Sequence, residues 1–122
     1  MEWRERGATN RVGGTMDESR FLQLADRTFR RIQDLLEPID PDLADYETSG
    51  DVLQISFADG SKCVINTQRP TRQIWLAARA RAWHFDWDEG TGTWIDEKGT
   101  GTELLSCLDS IVREGCGASL AL

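Results

Sequence analysis

The sequence predicts an α+β fold, a two-layer sandwich in which an antiparallel sheet of five to six strands carries an N-terminal and a C-terminal helix on one face. Apolar residues recur with helical period near both ends of the chain and with period two between them. The turns between the alternating segments are too short for crossover helices, so neighbouring strands must pair antiparallel. Two terminal helices can cover only one face of such a sheet, which leaves the other open. At 122 residues the chain is sized for a single hydrophobic core.

Residues 1–15 (MEWRERGATNRVGGT) hold three Arg, Gly13-Gly14 and little beyond Trp3 to bury, and are expected to be a disordered extension. The folded domain is expected over 16–115, with 116–122 as a short tail. From Phe21 the apolar positions Leu24, Ala25, Phe29, Ile32, Leu35 and Leu36 lie on one helical face. Thr15 and Glu18 have capping-box spacing at its start, and Pro38 and Pro41 close it just after Glu37. On the outer side Asp26–Arg30 and Arg30–Asp34 are spaced for i, i+4 ion pairs.

Leu53, Ile55 and Phe57 then alternate with Gln54 and Ser56, and Asp59-Gly60 turns the chain into Lys62–Asn66. Gln73–Ala77, Trp83–Trp87 and Thr93–Asp96 are the next strands, the last two separated by the Gly90–Gly92 turn. Leu104, Leu105, Leu108, Ile111 and Val112 share a face of the closing helix, predicted over Thr102–Glu114 with Gly115 as its stop. Cys63, Cys107 and Cys116 lack the C-x₂-C spacing of a zinc or redox site. They are expected to be reduced thiols, the first two as small core side chains and the third near the surface.

Charge is what points to function. Between Arg31 and Lys62 stand eight carboxylates (Asp34, Glu37, Asp40, Asp42, Asp45, Glu47, Asp51, Asp59) and no Lys or Arg. Like charges a few Å apart repel by about 1–3 kcal/mol per pair at a protein surface, so the run calls for a cation, either a metal ion or a basic partner face. Asp34 and Glu37 fall in the last turn of the first helix, where the dipole disfavours negative charge. With Asp40, Asp42, Asp45 and Glu47 they make a candidate ridge of hard oxygen donors, suited to Fe²⁺, Mn²⁺, Ca²⁺ or Mg²⁺ at modest affinity.

A net charge of −7 works against phosphate backbones and anionic lipid, so neither nucleic acid nor membrane is expected as a partner. No apolar run approaches the roughly 18 residues of a spanning helix and no leader pattern is visible, so a cytoplasmic location is expected. On the strand at Gln73–Ala77, Ile74 and Leu76 point to the core, which puts Trp75 on the open face as a binding residue or as a seal on the sheet edge. Trp83, Phe85 and Trp87 read as core. His84, the single His, shares the open face with Trp75, and its being alone excludes a multi-His metal site.

Taken as a set, these residues resemble the frataxin/CyaY family, from about Asp17 to Glu114. The likeness runs through ESRFLQLAD, DVLQISFADGSKCVIN, the N-x-Q-x-P block Asn66–Pro70, Gln73-Ile74-Trp75-Leu76-Ala77 and His84-Phe85-Asp86-Trp87, in that order. The resemblance implies weak iron binding on a ridge formed by Asp34, Glu37, Asp40, Asp42, Asp45 and Glu47. It implies a docking face made of Asn66, Gln68, Gln73, Trp75 and His84. It also implies a non-enzymatic role in iron–sulfur cluster assembly, on a complex of cysteine desulfurase and scaffold protein, as a monomer or an iron-dependent oligomer. Two other readings stay open: a ferroxidase that oxidises and stores Fe²⁺ on the ridge, and an acidic mimic that binds a basic protein.

Overall fold

The computed structural model describes residues 16–122. The expectations for residues 1–15, including Thr15 as a helix cap, lie outside the described residues. The order of elements is α1 (Glu18–Leu36), β1 (Ala44–Ser49), β2 (Val52–Phe57), β3 (Lys62–Gln68), β4 (Gln73–Ala78), β5 (Arg81–Asp88), β6 (Thr93–Asp96) and α2 (Leu104–Cys116). The six strands form one open antiparallel meander in chain order. This is the two-layer α+β sandwich that the periodicities predict.

Helix α1 begins where Asp17, extended at φ −76° and ψ 162°, accepts a hydrogen bond from the Arg20 N–H at 2.8 Å. Its inward stripe is the predicted one, with Phe21, Leu24, Ala25, Ile32, Leu35 and Leu36 buried. Of the two spaced ion pairs only Arg30–Asp26 forms, at 3.1 Å; the expected Arg30–Asp34 pair does not. One guanidinium serves one carboxylate here, and Asp34 keeps its charge uncompensated by a described residue.

The acid-rich stretch after α1 is a strand of its own. Ala44–Ser49 pairs with Val52–Phe57 through the Gly50-Asp51 turn, with Tyr46 opposite Ile55 and Glu47 opposite Gln54. On the core face Leu53, Ile55, Ile65, Ile74, Leu76 and Phe85 are fully buried against Phe21, Ile32, Leu104 and Leu108. Each such side chain contributes about 1.5–3 kcal/mol by leaving water. Phe85 is core as expected, whereas Trp83 and Trp87 are only partly buried and pack at the margin. Cys63 and Cys107 are buried and their thiols are pushed up, by loss of hydration, to about 12 and about 11, so they are inert space-fillers. Cys116 is half-buried, its Sγ donating to the Val112 carbonyl at 3.3 Å.

Helix α2 ends two residues later than expected, at Cys116. Its stop is Gly117, left-handed at φ 79°, with its N–H on the Arg113 carbonyl. Gly115 lies inside the helix, buried against Phe57. Beyond it the tail turns back, with Leu120 buried and its N–H donating to Asp109 Oδ1 at 2.7 Å. No described helix is long and apolar enough to cross a membrane.

The β4–β5 hairpin closes through Arg79 and Ala80, both left-handed at φ 52° and 64°. A two-residue loop of this hand matches the twist of the strands, but a side chain in that region costs about 1 kcal/mol. Replacing Ala80 by Gly is therefore expected to raise the unfolding free energy by about 0.5–1 kcal/mol in urea titrations. Unchanged or lower stability would argue against strain at this turn.

Candidate functional site

The eight carboxylates separate into two groups. Asp51 faces Arg69 at 3.5 Å, and Asp59 is clasped by Arg79, the Ser61 N–H and the Ser61 hydroxyl. Those two hydrogen bonds from Ser61, with the Arg79 guanidinium, hold the Asp59 carboxyl down at about 2. The other six are exposed and pair with no cation among the described residues: Asp34, Glu37, Asp40, Asp42, Asp45 and Glu47.

The fold stations them along one edge. Asp34 and Glu37 close α1, which has no basic residue in its last turn. Asp40 and Asp42 occupy the turn that follows, the first accepting the Asp42 N–H at 2.9 Å. Asp45 and Glu47 flank Tyr46 on edge strand β1, and alternation sends them to the open face while Tyr46 points to the helix layer. There the Tyr46 hydroxyl donates to Glu37 Oε2 at 2.6 Å, tying strand to helix end.

That hydrogen bond raises the Tyr46 phenol above its ordinary value, reinforced by the charges of Glu37, Asp34 and Asp45. Three of the acids thus share one field. Because the folded value is the higher one, the neutral phenol stabilises the fold below the unfolded value of 10.0, and that stabilisation disappears as pH rises through the folded value. Tyr46 is the single tyrosine, so phenolate absorbance reads it alone. A divalent cation seated on the edge is expected to bring its midpoint back toward 10.0. A midpoint indifferent to the ion would place the cation elsewhere.

Among the described residues no three His, Cys, Asp or Glu side chains converge on a common point. The donors are carboxylates alone, exposed and outside any cage, a set that fits a hard, largely hydrated cation rather than a fixed structural metal.

Across the sheet, the five residues expected to form a docking face come together. Register puts Asn66 opposite Trp75 and Trp75 opposite His84, with Gln68 opposite Gln73 in the next row. Trp75 stacks on His84 with ring centroids 4.0 Å apart and planes 11° from parallel. Gln68 Nε2 donates to Asn66 Oδ1 at 3.0 Å.

Gln73 is buried rather than presented: its Nε2 donates to Asp86 and Glu97 at 3.1 and 2.8 Å, and its Oε1 receives the Trp75 indole N–H at 2.9 Å. The second Glu97 oxygen meets His84 Nδ1 at 2.9 Å. Hydrogen bonds from Gln73 and then His84 lower the Glu97 carboxyl below its usual value. Its contribution to stability is present above the ordinary carboxylate range and fades as pH falls through the lowered value. Asp86 and Glu97, which the sequence reading did not single out, therefore set the orientation of the Trp75–His84 stack. Glu47, Gln54, Val64 and Ala77 form one continuous row on the open face, so the acidic edge and the Trp75 surface lie on the same side of the sheet. β1 and β4 are three strands apart, roughly 14 Å.

The family model of the frataxin-like domain matches residues 14–118. The chain belongs to the frataxin/CyaY family. It is 42% identical over 106 residues to an iron–sulfur cluster assembly protein CyaY of Pseudomonas entomophila, covering 87% of this chain and 94% of the relative. It is 44% identical over 93 residues to the protein of that name from Vibrio cholerae, covering 76% and 86% of the two chains. The frataxin of Psychromonas ingrahamii superposes with a TM-score of 0.78 at 31% identity, over 86% of this chain and 96% of that one. A trimeric frataxin of Saccharomyces cerevisiae complexed with ferrous iron superposes with a TM-score of 0.61 at 28% identity, over 89% and 94%. In this frataxin-like chain the matched region takes in both the acidic edge and the Trp75 face.

Proposed function

We propose that this chain is a non-enzymatic, iron-responsive adaptor of iron–sulfur cluster assembly, acting in the cytoplasm. It docks on a complex of cysteine desulfurase and scaffold protein, with the acidic edge attracted to a basic face and Trp75 as the short-range anchor. Fe²⁺ binds weakly on Asp34, Glu37, Asp40, Asp42, Asp45 and Glu47, lowers their charge, and so weakens or redirects the docking. The names of the curated relatives support the assembly role, and the ferrous complex of the yeast frataxin supports iron as the ion.

The observation that carries the reading is the split among the carboxylates. The fold neutralises Asp51 and Asp59 with arginines and leaves the six at 34–47 without a described partner. Uncompensated charge of this kind steers association and fixes register more than it adds raw affinity. Calorimetric titration of the desulfurase with this chain tests it. Affinity should fall about tenfold or more as ionic strength rises from ~0.01 to ~0.15 M, where the screening length shrinks from about 30 to about 8 Å. A salt-insensitive affinity would remove the acidic edge from the interface.

A further inference from the structure

We propose that the cleft between α1, the β5–β6 hairpin and the start of α2 receives the last residue of a partner polypeptide, an apolar side chain carrying its free α-carboxylate. The cleft is a cavity of about 260 Å³ on the helix side of the molecule, away from the open sheet face. Its walls are the indoles of Trp87 and Trp94, set edge to face at 5.3 Å, and the side chain of Leu105. Trp94 Nε1 donates to Thr28 Oγ1 at 2.8 Å and the Thr28 hydroxyl donates to the Leu24 carbonyl at 2.8 Å, whereas Trp87 Nε1 is buried with no hydrogen-bond partner among the described residues. What the wall offers is apolar surface and one unpartnered indole N–H.

The rim supplies the opposite chemistry. Arg27 and Arg31 stand one turn apart on α1, both exposed, and neither pairs with a described acid. Arg20, Arg30, Arg69, Arg79, Arg81 and Arg113 all do. Arg72, Lys62 and Lys98 also pair with no described acid, but Arg27 and Arg31 are adjacent on one helix face, and like charges at this spacing disfavour one another. Glu103 is the one carboxylate in the lining, and its oxygens are committed to the N–H groups of Leu105 and Ser106 at 2.9 and 3.2 Å as the cap of α2. The positive end of the α2 dipole opens on the same place.

An anion is therefore expected at the rim and an apolar body inside. Guanidinium forks match a carboxylate in bidentate geometry, which favours a carboxylate over a diffuse negative field. Size decides between a free molecule and a chain end. Small-molecule sites typically enclose about 300–1,000 Å³. This cleft is smaller and open, with room for one side chain while the remainder of the ligand stays outside.

The test titrates the full chain with acetyl-Gly-Gly-Phe bearing a free C-terminus, following the indole N–H signals of Trp87 and Trp94 by NMR. The free acid should shift both indoles, and its C-terminal amide and phenylacetate should each bind at least tenfold more weakly. The Arg27→Gln/Arg31→Gln double variant, whose changes are on the surface, should keep its circular dichroism and lose at least tenfold in affinity. Equal binding by the amide, retention in the double variant, or indoles that do not respond would overturn the proposal. Phenylacetate binding as tightly as the peptide would replace a chain end with a free acid and overturn it equally.

Discussion

Replacing Asp34, Glu37 and Asp40 together by Lys is expected to weaken association with the cysteine desulfurase by about 100-fold, or about 2.7 kcal/mol. The three sites lie on the last turn of α1 and the loop after it, exposed, with no described cation beside them. The substitutions turn attraction into repulsion at a point the partner must approach, and the loss should fall mainly on the association rate at low salt. The fold should not suffer. Lys at positions 34 and 37 suits the negative end of the α1 dipole, which gives back about 0.3–1 kcal/mol per residue, against one lost hydrogen bond from Tyr46. Urea unfolding beside the affinity measurement separates the two effects: binding falls while stability holds. Stability and binding falling together would mean that the acids are structural.

The Gly115→Ala variant is expected to lower the unfolding free energy by about 1–3 kcal/mol, although Ala is ordinarily the better helix former by about 1 kcal/mol. A Cβ at this position would stand 2.5 Å from Phe57 Cγ, 2.8 Å from its Cδ2 and 2.9 Å from its Cβ. Phe57 is itself 6% exposed and paired with Ala44 across β1, so it has no open space to swing into. Helix α2 would have to lift from the sheet. The melting temperature should fall by roughly 10 °C, and shortening Phe57 to Leu in the same chain should return part of the loss, because the two positions share one contact. A Gly115→Ala chain as stable as the parent, or a double variant with simply additive costs, would mean that α2 and β2 are not held as close as described.

Both helices and the alternating strands were legible because their signals are local. The i, i+3, i+4 spacing of Phe21 through Leu36 and the alternation of Leu53 with Ile55 and Phe57 each state which side faces the core. Helix ends were less legible, since neighbouring residues compete for the same role. Asp17 and Thr15 are both good caps by type, and both Gly115 and Gly117 could end α2. Only packing distinguishes them: Gly115 is required by Phe57 and Gly117 by its left-handed backbone. Edge strand β1 was blurred because its inward side holds just Ala44 and Tyr46 before the polar Thr48, too short an apolar alternation to stand out.

At the site, the acidic run and Trp75 were readable from residue type and spacing. The support beneath them was not. Asp86 and Glu97 reach Gln73 and His84 across strand register, over 13 to 24 residues of chain, and no short window of sequence carries such a contact. The same holds for the separation of Asp51 and Asp59 from the other six acids, which rests on Arg69 and Arg79 arriving from distant turns.

Residue-resolved paramagnetic broadening by Fe²⁺, titrated without oxygen into the isotope-labelled chain, tests the central claim most directly. Amide signals between Asp34 and Glu47 should lose intensity first, with those of Asp51 and Asp59 following later because their carboxylates are already paired. Broadening that begins instead around Asp86, Asp88, Asp96 and Glu97, or that spreads evenly over the surface, would contradict an edge built to meet a cation.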